Sequence, residues 1–286
     1  MERLRWGGYR LVLASADGPE YRSDEVARMM LVDRQLKADH VFSHKSAALI
    51  WGLPRWTPEP RIQVIQQYRS SRGTHLDLRR HFMYLHEDEK AQVHGLPVTE
   101  LRRTVLDCAV TLHPLESLVI ADRALTSGLT AAELLVALEA RGAIRGRRLA
   151  RLVMALADGG AASPWETWLR YIAHRAGLPR PTTQFAVQTR LGQRYLDLAW
   201  PEYGVFAEFD GRVKYCDGAF GPGYDADQAR FEEKRRADAV EEATGRSLLR
   251  ITAADRPAEV AHRLTERFPP HLQSRLRPNP LLPPIP

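Results

Sequence analysis

The sequence predicts a mixed α+β chain built in more than one part. Apolar residues recur at helical spacing in some stretches and alternate as in strands in others, and a Gly-Gly linker at 159 and 160 separates halves whose elements come in different orders. The 286 residues exceed one ordinary domain, and 44% apolar content is enough to bury a core, which excludes disorder throughout.

Val26, Met29, Met30 and Leu36 fall at helical spacing and predict a helix over residues 22–38. Ser43-His44-Lys45-Ser46-Ala47-Ala48-Leu49 reads as a second, capped helix closed by Gly52, after which Pro54, Pro58 and Pro60 break the pattern. Arg61 to Ile65 alternates as a strand does, and His81 to Leu85 reads as another, so residues 1–98 form a mixed α and β region. From 99 to 158 the pattern is helical. Leu101, Val105, Leu106 and Ala109 share a face, and helices at 118–125 and 131–138 follow, punctuated by Pro114, Gly128 and Gly142. Arg141, Arg145, Arg147, Arg148 and Arg151 then crowd together, either as a solvated helix face or as a patch that contacts phosphates.

Residues 161–267 form the third region. Ser163-Pro164-Trp165-Glu166 opens a helix with Ser as N-cap and Pro in the first position, and Trp165, Trp168, Leu169 and Ile172 make its apolar stripe. Three strands are predicted at 184–190, 194–200 and 205–210, then a glycine-rich loop at 217–223, a charged helix over 226–244 and a last strand at 247–252. The tail, 268–286, has five prolines from Pro278 onward and is expected to be extended or disordered.

Forty-one Lys and Arg against 35 Asp and Glu give a net charge of +6, which favours a polyanionic partner such as nucleic acid. Cys108 and Cys216 stand far apart with no metal-binding spacing, and no apolar run suits a signal or a membrane span. A soluble, cytoplasmic protein is expected.

Acidic residues within otherwise apolar strands are the candidates for chemistry. A strand has a period of two, so Asp197 faces away from Leu196, Leu198 and Trp200, while Glu208 and Asp210 share a face of the next strand. If the two strands pair, three carboxylates converge, and their repulsion calls for a cation. Oxygen donors of this kind suit Mg²⁺ or Mn²⁺, which would activate water for phosphodiester hydrolysis. Lys214 and Lys234 are the candidate cationic side chains, although Lys234 reads equally as an exposed helix charge paired with acidic neighbours. Glu166 has a capping-box reading beside a site reading, and Asp210, before Gly211, has a turn reading. His44 is read as a capping or core histidine ahead of a catalytic base.

The order helix, three antiparallel strands, helix, strand, with Glu166, Asp197 and Glu208 on successive elements, resembles the PD-(D/E)XK nuclease superfamily. Within it, Glu208-Phe209-Asp210-Gly211 and the segments 233–236 and 249–251 are most similar to the very-short-patch-repair and DUF559 branch. The resemblance implies a restriction-endonuclease-like αβββαβ core with Asp197, Glu208 and Asp210 as metal ligands, Lys214, Lys234 and Glu166 as further catalytic candidates, and DNA contacts from Arg235 and Arg236. Asp210 stands where the superfamily has a lysine. Upstream, Ser43-His44-Lys45-Ser46-Ala47-Ala48, Gly52-Leu53-Pro54, Gly95-Leu96-Pro97-Val98-Thr99 and Arg103-Thr104-Val105-Leu106-Asp107 resemble AbiEi-type antitoxins of type IV toxin-antitoxin systems. That resemblance implies DNA binding, with the winged helix shortened to about residues 5–13, and a toxin protein as partner. The resulting expectation is a metal-dependent DNA endonuclease or nicking enzyme. The alternatives are a DNA-binding antitoxin or regulator whose nuclease fold has lost hydrolysis, and an interaction module that neutralises a toxin.

Overall fold

The computed structural model describes residues 2–5, 8–10, 20–68, 76–211 and 226–285. It is a mixed α+β chain that divides between Ala157 and Asp158 into two units. Lys214, the glycine-rich loop at 217–223 and part of the segment expected to be a shortened winged helix lie outside the described residues.

In the first unit, β1 (Glu2–Arg5) and β2 (Gly8–Arg10) pair antiparallel, and α1 (Glu20–Gln35) follows. β3 (Val41–Phe42), α2 (His44–Ile50), β4 (Ile62–Gln66), β5 (Leu78–Phe82), β6 (Lys90–Val93) and β7 (Leu96–Thr99) come next. These five strands form one sheet in the order β5-β4-β3-β7-β6, parallel between β4 and β5 and between β3 and β7. Met29 and Val32 of α1 and Leu49 of α2 pack with Phe42, Ile62 and Val64 into its core. β5 begins earlier than the expected 81–85, because its parallel register with β4 runs from Ile62 opposite Leu78 to Gln66 opposite Phe82. His44 is a buried core residue. Its Nδ1 lies 3.0 Å from Ser43 Oγ and its ring stacks on His81 at 3.8 Å, and burial first, then the neighbouring His81, holds its pKa well below the ordinary histidine value.

α3 (Leu101–Thr111), α4 (Pro114–Leu125), α5 (Ala131–Ala140) and α6 (Arg147–Leu156) complete this unit. The boundary expected near residue 98 is absent. α2 packs against α3, and two buried ion-pair sets cross the sequence boundary. Lys45 Nζ reaches Glu116 Oε1 at 2.5 Å, where Thr57 Oγ1 also donates at 2.7 Å. Arg103 donates to Asp107 and to Glu89, and Arg141 Nη1 donates to Asp107 Oδ1 at 2.9 Å. Charges removed from water need partners, so neither stretch satisfies its own buried groups alone. On the surface of the arginine-rich stretch Arg147 and Arg151 both pair with Glu139, and Arg145, Arg148 and Arg151 are exposed.

The second unit opens with α7 (Pro164–Ala176), where Ser163 Oγ accepts the Glu166 N–H at 3.2 Å and Gly177 closes the helix in the left-handed region. β8 (Thr182–Thr189), β9 (Gly192–Trp200) and β10 (Val205–Asp210) form an antiparallel meander. After α8 (Ala226–Thr244), β11 (Leu249–Thr252) adds parallel to β10, which gives the order β11-β10-β9-β8. α7 packs on β9 and β10, and α8 packs on β8. α9 (Pro257–Glu266) and α10 (Pro270–Gln273) follow.

The tail departs from the expected extended or disordered segment. Phe268 is buried edge-on against Trp200, Leu282 is buried, the Asn279 N–H donates to the Arg175 carbonyl at 2.9 Å, and Tyr171 Oη donates to the Pro283 carbonyl at 2.7 Å. Gly177 makes the docking possible: at φ +82° a side chain is strained, and a Cβ would stand 2.1 Å from the Arg277 carbonyl oxygen. Proline residues fix an extended path at low entropy, and the α7 terminus supplies the polar groups that the path needs.

Lys45→Ala leaves Glu116 buried without its cation and is expected to lower the unfolding free energy by about 3–5 kcal/mol, read as a reduced denaturation midpoint in urea. Gly177→Ala is expected to undock the tail. Limited proteolysis will then cut after residue 268 in the variant under conditions that leave the wild type intact.

Candidate functional site

The cleft arises where two strands part. Pairing of β9 with β10 runs from Trp200 opposite Val205 to Leu198 opposite Ala207 and goes no further. Just beyond it, the Phe209 N–H donates to Asp197 Oδ2 at 2.8 Å, so a side chain receives a backbone donor where the ladder has ended. On the other edge of β10, Glu208 lies opposite Arg250 and Asp210 opposite Thr252 of β11. Phe209 packs away from these acids, its ring stacked on Trp165 at 4.8 Å and tilted against Trp168. The period of two thus anchors β10 through Phe209 and leaves Glu208 and Asp210 on the wall of a cleft.

That cleft, about 230 Å³, is lined by Asp197, Glu208 and Asp210 together with Arg194, Arg236 and Arg250. Tyr195, 57% exposed, stands at its side, and Val240 and Leu248 form apolar wall. Four acidic residues, counting Glu233, therefore share one concavity with three arginines. Arg250 is held by α8, its Nη2 donating to Glu233 Oε1 at 3.0 Å and to the Glu233 carbonyl at 3.3 Å, and Arg236 approaches the same carboxylate at 3.5 Å. Arg263 Nη2 donates to the Arg250 carbonyl at 2.9 Å, which fixes the start of the network from α9.

The residues anticipated from sequence divide clearly. Asp197, Glu208, Asp210 and Arg236 reach the cleft, whereas Lys234 and Arg235 are exposed and do not line it. Helix periodicity explains the split, since Glu233, Arg236, Ala237 and Val240 recur at three and four residues and share one face of α8. Lys214 lies outside the described residues. Glu166 is buried and outside the cleft lining. Its Oε2 accepts the Ala162 N–H at 2.8 Å, one residue before the N-cap, and the Gln184 side-chain amide at 3.1 Å. That amide also reaches Asp197 Oδ1 at 3.5 Å.

Arg194, Arg250 and Glu233 are additions of the structure. Arg194 had a signal in its place beside Tyr195 on the Asp197 strand, but Arg250 and Glu233 depend on the β10–β11 register and the phase of α8. Among the described residues no group of three His, Cys, Asp or Glu side chains is gathered as a metal-binding set. The donor chemistry nonetheless fits a hard divalent cation: the four acids of the lining offer only oxygen, and among the described residues the lining holds no thiol or imidazole. Comparison with protein-family models, curated proteins and solved structures finds no match for this chain. No helix among the described residues is long and apolar enough to cross a membrane.

Asp197→Ala strands the Phe209 N–H and is expected to cost about 1–3 kcal/mol of stability. Asp197→Asn keeps an acceptor and is expected to cost less. Urea denaturation of the two variants beside the wild type measures the difference.

Proposed function

We propose that the second unit is a metal-dependent endonuclease that hydrolyses DNA phosphodiester bonds. The observation that carries this reading is the convergence of Asp197, Glu208 and Asp210 with Arg194, Arg236 and Arg250 on one cleft. Acids alone would repel a phosphate, and arginines alone would only bind one. Their combination suits a backbone phosphate attacked by water. The element order and the Glu208-Phe209-Asp210-Gly211 segment support the same reading through their resemblance to PD-(D/E)XK nucleases of the DUF559 branch.

Asp197, Glu208 and Asp210 would hold Mg²⁺ or Mn²⁺. A bound cation of this kind lowers the pKa of water and offsets charge on a phosphate. Arg194, Arg236 and Arg250 would grip non-bridging phosphate oxygens, with Glu233 holding the Arg250 fork in a fixed plane. Lys214, four residues past Asp210, would orient the attacking water. Tyr195 offers an exposed ring for a base to stack on, which favours single-stranded or locally opened DNA within reach of the acids.

A second reading is favoured by one observation, the resemblance of Ser43-His44-Lys45-Ser46-Ala47-Ala48 and Arg103-Thr104-Val105-Leu106-Asp107 to AbiEi-type antitoxins. On it, the chain is a DNA-binding regulator or antitoxin of AbiEi type whose nuclease fold serves as a scaffold, with a toxin protein as partner.

Cleavage of supercoiled plasmid and labelled single-stranded DNA with Mg²⁺ or Mn²⁺ separates the two. The nuclease reading expects cleavage by the wild type and a loss of about a hundredfold or more in Asp197→Asn and Glu208→Gln. Salt-sensitive DNA binding without cleavage by folded wild-type protein would establish the regulator reading instead.

A further inference from the structure

Gln184 occupies a backbone conformation that its residue type does not favour. Its φ is +47°, inside β8, with Thr183 opposite Leu198 and Phe185 opposite Leu196 in unbroken register. The same register puts Gln184 opposite Asp197, yet this one position drops out of the pairing. Glycine would adopt the left-handed region without strain, and asparagine at less cost than glutamine. A glutamine persists there against local preference, so its side chain is where an offsetting interaction is to be sought.

The side chain bridges two acids that lie on different elements. Nε2 donates to Glu166 Oε2 at 3.1 Å on α7 and to Asp197 Oδ1 at 3.5 Å on β9. Both neighbours are carboxylate oxygens, which accept only, so the amide nitrogen and not its oxygen must face them. A neutral group with two N–H donors serves two anions without cancelling their charge. A lysine or arginine in that place would neutralise the acids and compete with a cation, and a glutamate would add a third negative charge. Backbone donors hold the bridge at both ends: the Ala162 N–H donates to Glu166 Oε2 and the Phe209 N–H to Asp197 Oδ2.

We propose that Gln184 is a positioning residue of the cleft, which ties Asp197 to the buried Glu166 and thereby sets the carboxylate of Asp197 for a divalent cation. This rests on the metal-dependent reading of the cleft. Gln184 itself is no ligand in this scheme. It acts through Asp197, as hydrogen-bonded outer neighbours do in other metal sites.

The test is calorimetric titration of the full chain with Mn²⁺ alone, with thermal melting alongside, for wild type, Gln184→Gly, Gln184→Asn and Asp197→Asn. Gln184→Gly removes the amide and relieves the backbone. Gln184→Asn keeps an amide that is one methylene too short to span both acids. The expected result is Mn²⁺ affinity weakened about tenfold or more in both Gln184 variants, with the melting temperature of Gln184→Gly maintained, and a larger loss of affinity in Asp197→Asn. Wild-type affinity in folded Gln184→Gly, while Asp197→Asn still loses it, would overturn the role of Gln184 and leave the metal reading standing. Failure of the wild type to bind Mn²⁺ would overturn both.

Discussion

The hydrogen bond from the Phe209 N–H to Asp197 Oδ2 is the contact around which the second unit's cleft is organised. A sheet whose strands stay paired has no room between them, and a strand that parts from its neighbour exposes backbone donors that need acceptors. Asp197 resolves both demands at once. Its carboxylate satisfies the donor at the fork, β10 swings toward the parallel partner β11, and the space between becomes the cleft lined by Glu208 and Asp210. Stacking of Phe209 on Trp165 anchors the diverging strand to α7 on the opposite side. Stability and chemistry are therefore linked at one residue.

Compensation of buried charge governs the first unit as well. Lys45 with Glu116, and Arg141 with Asp107, join elements distant in sequence, Arg103 with Asp107 braces one turn of α3, and such pairs penalise any arrangement that leaves one member alone. They tie α2 to α4 and α3 to the end of α5. The buried Asp107 engages Arg141, Glu139 on the surface engages Arg147 and Arg151, and Arg145 and Arg148 are exposed. A count of basic residues along a chain is thus a poor measure of what a phosphate would meet.

Much of the local architecture was legible in the residues. The Ser163-Pro164 start and Gly177 stop of α7, the span of α8 and the three strands of the meander follow from capping, period and turn chemistry, all of which act over a few residues. Hidden features were long-range. β5 is shifted because β4 sets its register, the proline-rich tail is ordered because Gly177 lets the Arg277 carbonyl approach, and the boundary near 98 vanishes because ion pairs span it. No local pattern encodes those pairings.

For the candidate site the division has the same cause. By itself the sequence determined that Asp197, Glu208 and Asp210 stand on the faces of two neighbouring strands, since alternation along a strand is a property of the backbone alone. Tertiary structure decided which groups face them. Arg250 arrives through the parallel register of β11, Arg236 and Glu233 through the rotation of α8 about its axis, and Gln184 through an unusual backbone angle opposite Asp197, while Lys234 turns to solvent. Register between distant strands and the phase of a packed helix are set by the burial of whole faces, and only the folded chain fixes them.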